Sequence, residues 1–191
     1  MDDQGTVAES QASLAELSLE EGHPEKAETL LRAAIAEFEK EKVTPNATSA
    51  YTSLSRTLWA EGKLEEARKA IEHAGELGRN TTDPALTLPL TIQNAQIEMA
   101  AVAPGTAEHV APAVARRQLL AVIATARRLG YYQIECEARL ALAVADLNAN
   151  PALGHSQLET LAKESHERGL ELLSHKAQLL VSGNQSSPSH P

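Results

Sequence analysis

The side chains of this chain that could bind a metal ion or act as a nucleophile are seven histidines and a single cysteine. A zinc site on a helix needs two histidines three or four residues apart, so that both side chains reach one ion. No two histidines in the sequence have that spacing. Cys136 lies early in an apolar stretch without a flanking histidine, which favours a buried, inert thiol over a nucleophile. We therefore predict no metal site and no cofactor.

Paired carboxylates could supply general acid and base catalysis, and two such pairs are Glu20-Glu21 and Glu65-Glu66. Adjacent residues of a helix do not share a face, and both pairs lie at predicted helix ends, which favours a structural role. The sequence also has no Gly-rich phosphate loop, no nucleophilic serine elbow and no Glu-x-x-His pair. These observations predict that the protein is not an enzyme.

The charge of the chain limits the partners that it can bind. Its formal net charge is −9 and its isoelectric point is near 5.3. Nucleic-acid-binding proteins usually carry a basic stripe, and an anionic membrane surface repels excess carboxylates, so we expect neither partner. One cysteine allows no intrachain disulfide, no apolar run approaches the length of a membrane span, and the first residues are acidic rather than signal-like. We therefore predict a cytoplasmic location.

Apolar residues recur at helical spacing along most of the chain, and most of them are alanine and leucine, which favour helices. Glycines, prolines and polar clusters divide this pattern into nine predicted helices, at about 7–21, 24–42, 47–61, 64–77, 84–103, 112–129, 132–148, 151–168 and 170–181. Pro89 is expected to kink the fifth helix or delay its start, because proline cannot donate a backbone hydrogen bond. The polar tail 182–191 is predicted to be disordered.

Two stretches of the sequence are related by a shift of forty positions. Residues 22–27 and 62–67 share the pattern Gly-x-x-Glu-x-Ala, and each stretch ends one predicted helix and begins the next. The pattern resembles that of tetratricopeptide-repeat proteins, in which a turn joins two helices and a small residue lets them pack closely. The family period is 34 residues, so about six extra residues must lengthen a helix or the loop around 39–45.

The resemblance implies an all-α fold, a right-handed superhelix of antiparallel helix pairs of the kind called an α-solenoid. It implies a single domain over residues 1–181, with about four units and a short C-terminal capping helix, at 7–42, 47–77, 85–130, 132–169 and 170–181. The first two units match the family pattern best. In the fourth unit, residues 148–151 replace the glycine turn and Gly154 takes the position of the small residue.

A looser resemblance concerns the stretch 127–131, with the sequence Arg-Arg-Leu-Gly-Tyr, and the long Ala/Leu helix and short last helix that follow it. This arrangement is similar to the C-terminal end of repeat arrays in large bacterial signalling proteins. It implies a role in bacterial signalling, with further repeat units or a signalling domain on the N-terminal side as partners. The chain is then one end of a superhelix.

In the tetratricopeptide family, the first helices of successive units line a concave groove that binds peptides. The positions that the family pattern assigns to this groove are Glu16, Thr52, Arg56, Trp59, Gln93, Gln96, Arg139 and Asp146. For Trp59, the only tryptophan, the sequence leaves both exposure in the groove and packing in the core open.

Three functions are compatible with these features. The first is a non-enzymatic interaction module that binds a peptide or protein partner in the groove. The second is a regulatory sensor domain of a signalling protein, in which a small ligand or a cognate domain sets the shape of the superhelix. The third is a structural stack that associates with itself. We expect the first.

Overall fold

The structure, a computed structural model, describes residues 3–100 and 110–184. The nine predicted helices are confirmed, and no strand occurs within these ranges. The helices are α1 Asp3–Glu20, α2 Pro24–Glu41, α3 Thr44–Ala60, α4 Leu64–Leu77, α5 Pro84–Ala100, α6 Val110–Leu129, α7 Tyr132–Ala149, α8 Pro151–Glu167 and α9 Glu171–Asn184. Within the described ranges, no helix combines the length and the apolar character that crossing a membrane requires.

The chain forms two compact units, Met1–Pro104 and Gly105–Pro191. In the first unit consecutive helices from α1 to α5 pack on each other, and α3 also contacts α1 and α5. In the second unit α6 to α9 pack in sequence, and α7 also contacts α9. Packing of each helix on the next, and on the next but one, is typical of helical repeats. The all-α fold is confirmed, whereas a right-handed superhelix of four units in one domain stays a prediction.

Within 3–100 and 110–184, five residues at helix ends adopt the left-handed backbone conformation, and four of them are glycine: Gly22, Gly62, Gly130, Gly169 and Lys42. Each turn is closed by the same two backbone hydrogen bonds. At the first turn, the N–H of Gly22 donates to the Leu19 carbonyl at 3.1 Å, and the next N–H donates to the Ser18 carbonyl at 2.9 Å. These bonds satisfy carbonyls at the end of the helix and reverse the chain within two residues.

The forty-residue period is accommodated by longer helices rather than by a longer loop. Only Lys42 and Val43 separate α2 from α3, and these helices have 18 and 17 residues. The expected break at 43–46 is therefore shorter than predicted, because Pro45 lies in the first turn of α3, where its missing N–H is not needed. In α5, Pro89 lies inside the helix, so the start of α5 at Pro84 is not delayed.

Two other predictions fall partly or wholly outside the described residues. The predicted unit 85–130 combines α5 and α6, which belong to different compact units, and most of the interval expected between these helices, 104–111, lies outside the described residues. Of the tail 182–191, the first three residues belong to α9, and residues 185–191 lie outside the described part of the chain.

Small side chains lie where the two helices of a hairpin approach each other. Ala15 and Ala27 are fully buried on α1 and α2, seven residues before and five residues after the turn glycine. At the same positions of α3 and α4, the Ser55 hydroxyl donates to the Ala67 carbonyl at 2.7 Å. In α9, the Ser174 hydroxyl donates to the α8 carbonyl of Ala162 at 2.8 Å. A buried serine at these positions therefore adds a hydrogen bond to the backbone of the neighbouring helix, whereas alanine only allows the two helices to approach closely.

The closest approach of this kind involves Gly154, which confirms its predicted role as the small residue of α8. The Asn150 side chain caps α8 by accepting a hydrogen bond from the Leu153 N–H at 3.3 Å. A Cβ atom on Gly154 would lie 2.6 Å from the backbone nitrogen of Leu147 on α7. Since backbone cannot move away as a flexible side chain can, only glycine fits here.

Gly154→Ala is expected to destabilise the protein by about 1–3 kcal/mol, because overpacking against the α7 backbone outweighs the better helix propensity of alanine. The matched control is Gly75→Ala in α4, where an added Cβ would meet nothing within 4 Å. That variant is expected to gain up to about 1 kcal/mol. Urea denaturation of the parent and both variants measures the change in unfolding free energy that each substitution causes. Changes of the same sign in the two variants would contradict this explanation.

Glu28 links the first repeat to the second. Its carboxylate accepts hydrogen bonds from the Lys63 ammonium at 2.8 Å, at the turn after α3, and from the Arg32 Nε at 2.7 Å. The hydrogen bond from Lys63 is the main cause that lowers the pKa of Glu28 below its ordinary value of 4.5. The same contact raises the pKa of Lys63.

A lowered pKa in the folded state stabilises the protein above pH 4.5, and this stabilisation is lost as the pH falls through the lowered value. We therefore expect the difference in unfolding free energy between the parent and Glu28→Gln to shrink from pH 6 to pH 3. Glu65→Gln is the control, because that side chain is 77% exposed and its ion pair with Arg68 is long, at 3.4 Å. A pH-independent difference for Glu28→Gln would refute the link.

Candidate functional site

In the first unit, two of the predicted groove residues meet across neighbouring helices. The carboxylate of Glu16 on α1 forms an ion pair with the guanidinium of Arg56 on α3 and accepts a hydrogen bond from the Ser53 hydroxyl. Glu16 and Arg56 are forty residues apart, one repeat period. Both side chains are partly exposed, so the pair lies at the surface between α1 and α3.

The other two predicted residues of α3 flank this pair. The Thr52 hydroxyl donates to the Thr48 carbonyl of its own helix at 2.9 Å, and Thr52 is half-buried. Trp59 is also half-buried and packs against the hydrophobic core of the first unit. The Trp59 side chain therefore packs in the core and also remains partly accessible. Neither groove exposure alone nor core packing alone describes it.

The predicted residues of α5 differ in accessibility. Gln96 is half-buried, but Gln93 is only 3% exposed and cannot line an open wall. The Gln93 amide donates to the Ser55 hydroxyl at 3.4 Å, and its carbonyl oxygen is buried without a hydrogen-bond partner among the described residues. Ser55 of α3 therefore has hydrogen bonds to both neighbouring helices, to Gln93 on α5 and to the Ala67 carbonyl on α4.

In the second unit, Arg139 and Asp146 are committed to ion pairs with other helices. The Arg139 guanidinium lies 2.6 Å from the Glu164 carboxylate on α8 and 3.9 Å from the Glu135 carboxylate. Asp146 is 4% exposed and pairs with Arg116 on α6. The second carboxylate oxygen of Asp146 is buried without a hydrogen-bond partner in the described residues. Asp146 is therefore not available to a partner.

The register of α7 explains why these two residues do not form a wall. When α3 and α7 are aligned on the left-handed residue that precedes each, Lys42 and Gly130, the positions of Thr52 and Arg56 fall on Leu140 and Val144. Both are half-buried and aliphatic. The polar face of α3 therefore has no polar counterpart on α7.

Arg139 lines an open cleft of about 450 Å³ in the second unit. The charged side chains of its lining come from α6, α7, α8 and the residue that follows α8, and the aromatic side chain is Tyr132. The set is Arg127, Tyr132, Glu135, Arg139, Glu164 and Arg168. The Arg127 guanidinium donates to Glu135 at 2.7 Å, and this hydrogen bond raises the pKa of Arg127. Most charges of the cleft are thus neutralised by a neighbour, which favours a role in helix packing over ligand binding.

Tyr132 forms the apolar wall of the cleft. The Arg168 guanidinium lies 4.2 Å from the centre of its ring, a cation–π contact between α8 and α7. Burial, with a smaller contribution from a hydrogen bond with Cys136, raises the pKa of Tyr132 to about 12. The sequence does not predict this cluster, since only the i, i+4 spacing of Glu135 and Arg139 is visible along one helix.

Arg116→Ala is expected to cost about 1–3 kcal/mol of stability, because it leaves a buried carboxylate without its ion-pair partner. Arg117→Ala removes the same side chain from an exposed position one residue away, and we expect less than about 0.5 kcal/mol. Denaturant midpoints of both variants at pH 7 provide the measurement. Equal losses would mean that the Asp146 pair does not stabilise the second unit.

Within the residues that the structure describes, no group of three or more histidine, cysteine, aspartate or glutamate side chains could hold a metal ion. Comparison with known proteins adds no family: no family model, no curated protein and no solved structure matches the chain.

Proposed function

We propose that the protein is a non-enzymatic binding module, and that the exposed face of α3 between α1 and α5 binds an extended segment of a peptide or protein partner. The observation that carries this proposal is the packing of α3 between α1 and α5 in one compact unit, with the Glu16–Arg56 pair on its accessible side. A groove of this kind is the binding surface of many helical-repeat proteins.

The accessible side of α3 is polar along its length. Ser49 and Ala60 are exposed, Thr52 and Arg56 are partly exposed, and these four residues follow helical spacing along one strip. The strip offers the Ser49 hydroxyl and the Arg56 guanidinium, which can donate to backbone carbonyls of an extended peptide. The Thr52 hydroxyl already donates to the Thr48 carbonyl, so it can accept from a peptide N–H. The opposite side of α3, with Leu54 and other apolar residues, is buried.

Arg56 is the central residue of this strip. Its guanidinium pairs with Glu16, yet the Arg56 side chain remains 37% exposed. A partner that supplies a carbonyl oxygen to an accessible N–H of this group gains a hydrogen bond to a charged donor. Trp59, three residues further along α3, places an aromatic ring beside the same strip.

Arg56→Ala is expected to weaken peptide binding about tenfold, the loss of one hydrogen bond to a charged group, while the protein stays folded. The measurement selects 12-residue peptides from a displayed random library against the parent protein and follows their binding through the fluorescence of Trp59. Arg68→Ala is the matched control, because Arg68 lies on α4 with half of its side chain exposed.

Equal affinities of the Arg56→Ala and Arg68→Ala variants would place the peptide elsewhere, and a library without binders would contradict the proposal. The sensor alternative predicts a different result, a change in radius of gyration when a metabolite mixture is added without peptide. A role in bacterial signalling, a cytoplasmic location and partners on the N-terminal side stay predictions.

A further inference from the structure

The net negative charge of the chain belongs to its first unit. Residues 1–104 contain 18 of the 26 aspartate and glutamate side chains and 9 of the 17 lysine and arginine side chains, which gives a formal charge of −9. Residues 105–191 contain eight of each kind and are neutral. The unit that contains the polar strip of α3 therefore has the whole net charge of the chain, and its potential attracts cationic partners.

Within this unit, the lysines and arginines are concentrated away from the helices that form the binding face. The sequences of α1 and α5 contain no lysine or arginine, and α3 contains only Arg56. On α2 and α4, by contrast, basic side chains pair with carboxylates of the same two helices, as Arg32 does with Glu28 and Glu66. Carboxylates beside the strip therefore receive few counterions from the protein itself.

Two carboxylates of α1 follow one edge of the strip. Glu9 accepts a hydrogen bond from the Asn46 amide at 3.1 Å, and Glu16 accepts one from the Ser53 hydroxyl. Asn46 and Ser53 are seven residues apart, so they lie on one line along α3, beside the strip that begins at Ser49. The strip is therefore bordered on its α1 side by a row of carboxylates that extends for about 10 Å.

The two carboxylates differ in how their charge is balanced. Glu16 forms an ion pair with Arg56, so this guanidinium does not repel a cation of a partner. Glu9 is exposed, and its hydrogen-bond donor is the neutral amide of Asn46, which leaves the negative charge in place. A cationic side chain of a bound segment can therefore pair with Glu9 without displacing a cation of the protein.

We propose that the segment bound along α3 is basic, and that a lysine or arginine of this segment pairs with Glu9 while its backbone bonds to the strip. This inference rests on the proposed function, because it names the chemistry of the partner for the same face. Complementary charge mainly speeds the encounter and selects among partners, whereas the hydrogen bonds at Arg56 hold the segment in place. An acidic segment is repelled by the same unit.

The composition of the peptides selected from the displayed 12-residue library is the first test. Binders of the parent protein are expected to contain more lysine and arginine, and less aspartate and glutamate, than the unselected library. Binders without this enrichment overturn the inference but leave the proposed function standing. A library without any binder contradicts the proposed function, and the inference fails with it.

Glu9→Gln tests the position of the cation, because glutamine still accepts a hydrogen bond from Asn46 but carries no charge. For a selected basic peptide, we expect the association rate constant at low salt, followed by Trp59 fluorescence in stopped flow, to fall about two- to fivefold. The loss is expected to vanish in about 1 M NaCl, where charges are screened within about 3 Å.

Glu65→Gln is the matched control, because it removes the same charge from a 77% exposed side chain on α4. We expect this variant to bind the peptide at the rate of the parent. Equal losses in the two variants, or a loss for Glu9→Gln that persists at high salt, overturn the pairing with Glu9. Circular dichroism checks that both variants are folded, which we expect because both substituted side chains are exposed.

Discussion

The structure depends on one constraint: consecutive helices must approach each other closely just after a chain reversal of two residues. At five turns of the described chain a left-handed residue makes the reversal possible, and the small residues on either side of the turn set the distance between the helices. With only 3% aromatic residues, the chain has few large side chains to fill wider gaps, so close packing of alanine, serine and glycine is what excludes voids. Serine at these positions adds a hydrogen bond that fixes the register, as between Ser55 and Ala67.

Close crossings of this kind put the larger side chains on the outer flanks of each helix, and there polar contacts join one repeat to the next. Glu28 reaches the turn after α3, and Glu16 reaches α3 itself. Both contacts join residues roughly one repeat period apart. They therefore stabilise the packing of one repeat on the next rather than a single helical hairpin. In the second unit the buried carboxylate of Asp146 pairs with the partly exposed Arg116 and joins α7 to α6. A polar residue that the repeat pattern assigns to the binding groove can therefore be held in an ion pair between helices instead.

The sequence predicted the fold class and all nine helices, because periodicity and turn residues are local properties. It predicted less of the candidate site. The pairing of Glu16 with Arg56 involves two predicted residues, yet Gln93 and Asp146 are buried. For Asp146 the difference arises from register: a shift of one residue turns a side chain by about 100° around the helix, and the family pattern does not fix the register of a repeat that departs from it, such as α7. The charged cleft around Glu135 depends on contacts between helices, which one sequence does not display.

The two surfaces of the first unit differ in what they require of a partner. The polar strip of α3 is already solvated, so a partner gains there mainly by specific hydrogen bonds. The flank of α1 that carries Val7, Leu14 and Leu17 exposes aliphatic side chains, whereas the equivalent residues of α3, forty positions later, are buried. Covering such a surface releases water, and this favourable free energy requires no specific hydrogen bonds. Natural repeat arrays usually place polar residues on a flank that stays in water. Val7, Leu14 and Leu17 of α1 are aliphatic and at least half exposed, so this flank has the composition of a packing surface rather than of a polar cap.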